Sequence, residues 1–297
     1  MNPNLQFRSR PLNLRVEQLD EKELNIESFS FSAGLPVVDL RSKLPPIWDQ
    51  GELGSCTAFA LCAAFSYCDP SFNGSKLFQY YNCRYLDQLS GDNSVVVDDG
   101  TTLRQGVTSL KNYGLCKETS WPYDISKYAT KPTAGCYTEA LNRQVLTATN
   151  VTQTLDQMKA CLQSGFPFVI GFMVYDSFFS NNGGNIPLPN TAAESLLGGH
   201  AILVVGYDDN TRRWICRNSW GLEWGQSGYF TMPFDYLTNR RLATDAWKIT
   251  AVENGVAPPP PAPKPTPPKP KPKPFPRPKR RLGRSHPEFN KPISRKI

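Results

Sequence analysis

Thirteen consecutive residues, Cys56–Cys68 (CTAFALCAAFSYC), carry no charge, no glycine and no proline, and are small or apolar nearly all round a helical wheel. A helix without a polar face has to be enclosed by the rest of its domain. The spacing therefore predicts a buried central helix over 56–68, around which the remaining chain must pack. Gly51, Gly54 and Ser55 precede it and predict a tight loop with Ser55 as N-cap. Further helices are predicted over 76–89 and over 102–113, the latter closed by Gly114, with a short one over 155–164.

The second half of the chain changes character. Segments 168–175, 200–207, 213–218 and 228–232 are rich in Val, Ile and aromatics and are punctuated by Gly, Asn and Asp, the pattern of strands. A short apolar run, 37–40, precedes the helices, and the charged stretch 16–26 reads as a helix. Helices first and strands later predict an α+β fold of two lobes, with the ligand cleft between them.

Charge divides the 297 residues just as unevenly. Residues 257–297 hold 15 of the 27 prolines and 12 of the 33 Lys and Arg, with one acid, Glu288. The remaining 256 residues carry 21 basic and 25 acidic side chains, a net −4, against +11 for the tail. The formal +7 of the whole chain thus belongs to the tail, which excludes a basic nucleic-acid-binding body. The tail cannot build a core and reads as extended, solvated polyproline II. No stretch approaches the roughly 20 apolar residues of a membrane span; the best, 166–175, contains Pro167 and Gly171. No apolar secretory leader is visible at the N-terminus. Eight cysteines then read as reduced thiols in the cytosol or another reducing compartment. They form no CxxC pair, and the chain has two histidines, His200 and His286, so no metal site and no cofactor is expected. Acid–base chemistry by histidine in the body has to use His200.

Four residues fit one chemistry. Cys56 opens the buried helix, where the dipole and unpaired amides favour thiolate. His200, after Gly198 and Gly199, can take the thiol proton and form an ion pair ready to attack a carbonyl. Asn218 offers an amide oxygen to fix the imidazole's tautomer and plane. Gln50, six residues before Cys56, can join the Cys56 amide as an oxyanion donor.

The segments DQGELGSCTAFA, GGHAILVVGYD and RNSWGLEWGQSGYF resemble, in order, the three signature blocks of the papain family of cysteine peptidases. Asp99-Gly100-Thr101 and the stretch 114–123, ending Trp121-Pro122-Tyr123, resemble landmarks between them. The similarity spans about 37–255. His200 follows Cys56 by 144 residues and Asn218 by 162, close to the expected spacing. The resemblance implies a two-lobed papain-like fold and a cysteine-type endopeptidase acting on polypeptides through a covalent acyl-enzyme. It implies Cys56 as nucleophile, His200 as general base and acid, Asn218 as its orienter and Gln50 in the oxyanion hole. Trp220 would shield the histidine–asparagine bond, Ala201 would line the main specificity pocket, and Gly100 would bind substrate backbone.

There are departures. The family's disulfide cysteine three residues before the nucleophile is Leu53 here, the tryptophan after the nucleophile is Thr57, and the residue before the histidine is Gly199. Such features resemble divergent members from microbes and large DNA viruses, which for a viral chain would add the virion as a location. Cys62 and Cys68 read as inert core, and Asp98, Asp99, Asp208 and Asp209 as turn and loop acids. Three regions are expected: an N-terminal extension, 1–36, acting as a short pro-segment on or near the cleft; a peptidase domain, 37–256; and the Pro/Lys-rich tail, 257–297. The tail suits an acidic partner by charge, or an SH3-like module through Lys264-x-x-Pro267-x-x-Pro270. The alternative to a peptidase is a catalytically weak papain-fold protein that acts through this tail.

Overall fold

The computed structural model describes residues 6–16, 26–27, 35–91, 94–180 and 183–253. By contact the chain divides into Met1–Pro261 and Ala262–Ile297; the expected extended tail lies outside the described residues. In chain order the elements are β1 (Ile26–Glu27), β2 (Val37–Asp39), α1 (Cys56–Cys68), α2 (Lys76–Leu89), α3 (Leu103–Asn112), α4 (Ala134–Ala140), β3 (Val145–Val151), α5 (Leu155–Gln163), β4 (Phe168–Tyr175), α6 (Ser177–Ser180), β5 (Leu196–Asp208), β6 (Arg213–Arg217), β7 (Tyr229–Pro233), α7 (Phe234–Thr238) and β8 (Ala243–Val252). The strands form one sheet in the order β1-β3-β8-β4-β5-β6-β7, with β2 added to β5. All pairs are antiparallel except β1 with β3.

Every residue of α1 is buried, as its unbroken apolar surface requires. It lies against one face of the sheet, where Ala201, Leu203 and Val205 of β5 join Cys56, Ala60, Ala64 and Leu110 in one packed cluster. The alternate residues Ile202 and Val204 turn to the other face, into a core of Phe168, Phe172, Trp214, Trp224 and Phe230. Period-two alternation along β5 therefore serves both lobes at once, and the first residues of the strand come to lie beside the N-terminus of α1. The predicted α+β architecture of a helical lobe and a β-rich lobe is the one observed.

The bounds of α1, α2 and β4 match the expectation, and α3 is one residue shorter at each end, with Thr102 accepting a hydrogen bond from the Gln105 amide as N-cap. The strands β3 and β8 and the helix α4 carry no clear signal in the sequence. Register shifts interrupt the pairing of β3 with β8 and of β8 with β4, which breaks the alternation a strand shows. A lysine in β8, Lys248, is 2 % exposed, with its ammonium 5.2 Å from the Phe166 ring centroid. Of the stretch 16–26 expected as a helix, residues 17–25 lie outside the described residues, and its last residue is in strand β1. All eight cysteines are buried and none is in a disulfide. Among the described residues no helix is long and apolar enough to cross a membrane, and no group of His, Cys, Asp and Glu could hold a metal.

Candidate active site

Cys56 is the first residue of α1, so its backbone N–H has no intrahelical acceptor. Ser55 stands at the N-cap position but does not cap with its side chain, contrary to expectation. Its hydroxyl is taken by the Tyr123 hydroxyl at 2.6 Å, and Tyr123 also donates to the Gln50 carbonyl at 2.8 Å. The loop before the nucleophile is thus tied across the helical lobe instead of being closed on its own helix.

Gln50 is fully buried. Its Oε1 accepts the Ser219 hydroxyl at 2.6 Å, which turns the amide nitrogen toward the nucleophile loop. One Nε2–H donates to the Leu53 carbonyl at 2.9 Å; an amide nitrogen carries a second N–H for a ligand.

His200 lies in β5 opposite Phe172 of β4. Its Nε2 is 2.8 Å from Asn218 Oδ1, and the same oxygen accepts the Ser219 backbone N–H at 2.9 Å. Because that backbone group can only donate, it fixes the atom at the tip of Asn218 as oxygen. The histidine must then carry its proton on Nε2. Its Nδ1, buried and without a hydrogen-bond partner, is the basic nitrogen. The Ala201 backbone amide, next in sequence, reaches the Cys56 thiol. Trp220 is fully buried 4.9 Å from the imidazole, itself stacked on Phe179. The expected residues Cys56, His200, Asn218, Gln50 and Trp220 are therefore brought together.

The site is dry. Burial pushes the Cys56 thiol up to about 11 despite the nearby amides, and pushes His200 down to about 4 despite the Asn218 bond. Both shifts favour the neutral thiol and imidazole over the ion pair while the site is buried. Desolvation is the largest cause of each shift.

The cover is the protein's own N-terminal segment. Gly199 donates to the Leu12 carbonyl at 3.2 Å and accepts from the Leu14 amide at 3.0 Å, and the Arg15 amide donates to the Thr101 carbonyl at 3.2 Å. Asn13 Nδ2 donates to the Asp98 carbonyl at 2.9 Å. Leu14 is buried in the cluster that contains Cys56 and Ala201. Phe7 stacks on Trp220 with ring centroids 6.4 Å apart, and Arg10 grips Asp49 with two nitrogens at 2.8 and 3.0 Å.

Glycines make the room. A Cβ on Gly100 would meet the Asn13 carbonyl oxygen at 1.5 Å, one on Gly199 the Leu14 oxygen at 2.6 Å, and one on Gly171 the Leu14 side chain at 2.4 Å. Gly199, a bare departure in the sequence, thus has a structural reason. Gly100 lies against the backbone of a peptide segment, and Ala201 lies in the cluster that takes an aliphatic side chain. Asp98 does more than the turn acid expected, since its carboxylate accepts from the Gly54 amide. Neither Asp98 nor Tyr123 stood out by type, although both lie in stretches next to or within the recognised landmarks.

The description of papain family cysteine proteases matches residues 36–246. Over 237 residues, 74 % of each chain, the sequence is 37 % identical to an uncharacterised peptidase C1-like protein of Acanthamoeba polyphaga mimivirus. Among solved structures, xylellain, a cysteine protease from Xylella fastidiosa, is 37 % identical with a TM-score of 0.71, covering 81 % of this chain and 96 % of its own. Digestive procathepsin L 3 of Tenebrio molitor, at 21 % identity and a TM-score of 0.60, covers 82 % of this chain and 78 % of its own and shares the fold.

Proposed function

The chain belongs to the papain family of cysteine proteases and is a cysteine-type peptidase, and from that premise we propose that it is a latent endopeptidase whose N-terminal segment holds the cleft shut. The observation that carries this reading is the tautomer of His200. With Nε2–H committed to Asn218, Nδ1 is left to accept the Cys56 proton. Once the segment leaves and water enters, the desolvation that keeps both groups neutral is relieved, and the pair can ionise at the helix terminus.

The thiolate adds to the scissile carbonyl carbon, and the electron pair moves to the oxygen. That oxygen lies toward the Cys56 N–H and the second Gln50 Nε2–H. Imidazolium returns its proton to the leaving amine as the C–N bond breaks, giving a thioester. Water, deprotonated by Nδ1, then releases the acid and restores the thiol. Asn218 holds the ring in plane throughout, and Trp220 keeps water from that bond.

The leaving amine departs on the His200 side, so the C-terminal part of a substrate extends over His200 and Trp220. The covering segment puts Phe7, near its start, there and Arg15, near its end, at Thr101. It runs opposite to a substrate and so fills the cleft without offering a peptide bond in the reactive sense. In this reading 1–36 is a short pro-segment, 37–256 the peptidase domain, and 257–297 a basic tail that seeks an acidic partner. Eight buried cysteines, none of them in a disulfide, suit a reducing compartment.

Cleavage profiling on a diverse peptide library tests the reading, with the full chain, Cys56→Ala and Leu14→Asp compared. Turnover that rises in Leu14→Asp and vanishes in Cys56→Ala is the expected result. Equal turnover in all three would overturn it.

A further inference from the structure

The residue three before the nucleophile, a disulfide cysteine in the resembled family, is the buried Leu53, so no covalent staple holds the nucleophile loop. A carboxylate is found on that loop instead. Both oxygens of Asp98 lie on the Gly54 amide, at 3.1 and 3.0 Å, two residues before Cys56. The Tyr80 hydroxyl donates to the same carboxylate. Tyr80 is fully buried in α2, with the Arg84 guanidinium 4.2 Å from its ring centroid. Arg84 in turn donates to the carbonyls of Val95, Val97 and Tyr128 at 2.6, 2.9 and 2.5 Å. The approach to Asp98 is therefore pinned from α2. A Cβ on Gly54 would come within 3.0 Å of Asp98 Oδ1 and 2.7 Å of Asn13 Nδ2, so the close approach depends on glycine.

Asp98 also faces the other way. Its backbone carbonyl accepts Asn13 Nδ2 of the covering segment at 2.9 Å, and it begins the edge, 98–101, along which that segment's backbone lies. One residue thus joins the edge that receives a peptide to the loop that carries the thiol and the oxyanion donors. Resting on the peptidase reading above, we propose that Asp98 is a positioning residue: its carboxylate sets the Gly54–Ser55–Cys56 backbone at the correct distance from a peptide bound along 98–101. A shift of about 1 Å between reacting groups can cost roughly 100-fold in rate. Release of this tether acts on the chemical step, while the edge that binds the peptide backbone remains.

The test uses the full chain in the Leu14→Asp background, so that the segment does not mask the cleft, with kcat and KM read on a fluorogenic peptide. Asp98→Ala should lower kcat by about 10- to 100-fold with KM within about threefold. Asp98→Asn keeps an oxygen for the Gly54 N–H and should return to within about threefold of the parent. Tyr80→Phe, which keeps the packed ring and loses only the donor to Asp98, should lower kcat by about threefold or more with KM unmoved. That variant decides the matter should Asp98→Ala fail to fold. Unchanged kcat in Asp98→Ala or Tyr80→Phe, or Asn performing no better than Ala, would overturn the proposal. A Leu14→Asp parent with no turnover at all would instead overturn the peptidase reading, and the role of Asp98 with it.

Discussion

Leu14 donates its backbone N–H to the carbonyl of Gly199, the residue before His200, at 3.0 Å, and buries its side chain in the cluster that contains Cys56. The contact makes the covering segment a competitor for the position a substrate must take. Burial of a leucine contributes about 2 kcal/mol, close to 30-fold in occupancy. Leu14→Asp, which would place a charge in that cluster, should raise kcat/KM on a short peptide by about 10-fold or more. Equal values for the two proteins would show that the segment does not limit access.

Gln50 and Asn218 meet through Ser219, whose hydroxyl binds the one side chain and whose amide binds the other. Gln50→Ala should lower kcat by roughly 100-fold, the usual effect of one lost oxyanion donor. Ser219→Ala removes one of the two bonds that orient the Gln50 amide and leaves the one to Leu53; it should lower kcat by about 10-fold or less, with KM little changed. Steady-state kinetics on one peptide read both. A Ser219→Ala effect as large as that of Gln50→Ala would contradict the division of roles.

Much of this site was legible in the sequence for a physical reason. The all-apolar helix α1, the lone body histidine and the Gly-flanked blocks around Cys56, His200 and Asn218 each carry a local signature. The strands β3 and β8 did not, because bulges and the buried Lys248 erase their alternation. Of the segment 1–36, expected on or near the cleft, the contacts described there come from within residues 6–16, and residues 12–15 have no period that names their partners. By its sequence Asp98 is a loop acid like its neighbour, since nothing in Asp98-Asp99-Gly100 tells which carboxylate meets Gly54. The burial that raises the Cys56 thiol has no signal either, because a helix terminus is visible in sequence and desolvation by a distant segment is not.

Burial depresses His200 from 6.5 to about 4. The folded protein therefore binds fewer protons than the unfolded chain between these values, and stability rises with pH there. The contribution is fully present above about 6.5 and is lost as pH falls toward about 4, roughly 3 kcal/mol over the interval. Urea midpoints measured from pH 7 to pH 4 should fall, and should fall less in His200→Gln, which cannot titrate. The same slope in the variant would contradict a buried neutral His200.

The proline-rich segment 257–297 carries 12 Lys and Arg against one acid. Truncation after Gly255 should leave kcat and KM on small peptides unchanged and should abolish salt-sensitive retention on heparin or nucleic-acid columns. Elution of both proteins at the same salt would remove the electrostatic role, and a fall in turnover would show that the tail serves the site.

The central claim is that Cys56 is a thiol activated by His200 once residues 6–16 leave the cleft. An epoxide that alkylates activated thiolates, followed by peptide mapping, addresses it most directly. We expect a single adduct on Cys56 of the eight cysteines, formed faster in Leu14→Asp than in the unmodified chain and abolished in His200→Ala. Labelling at another cysteine, or labelling of Cys56 at an unchanged rate without His200, would contradict it.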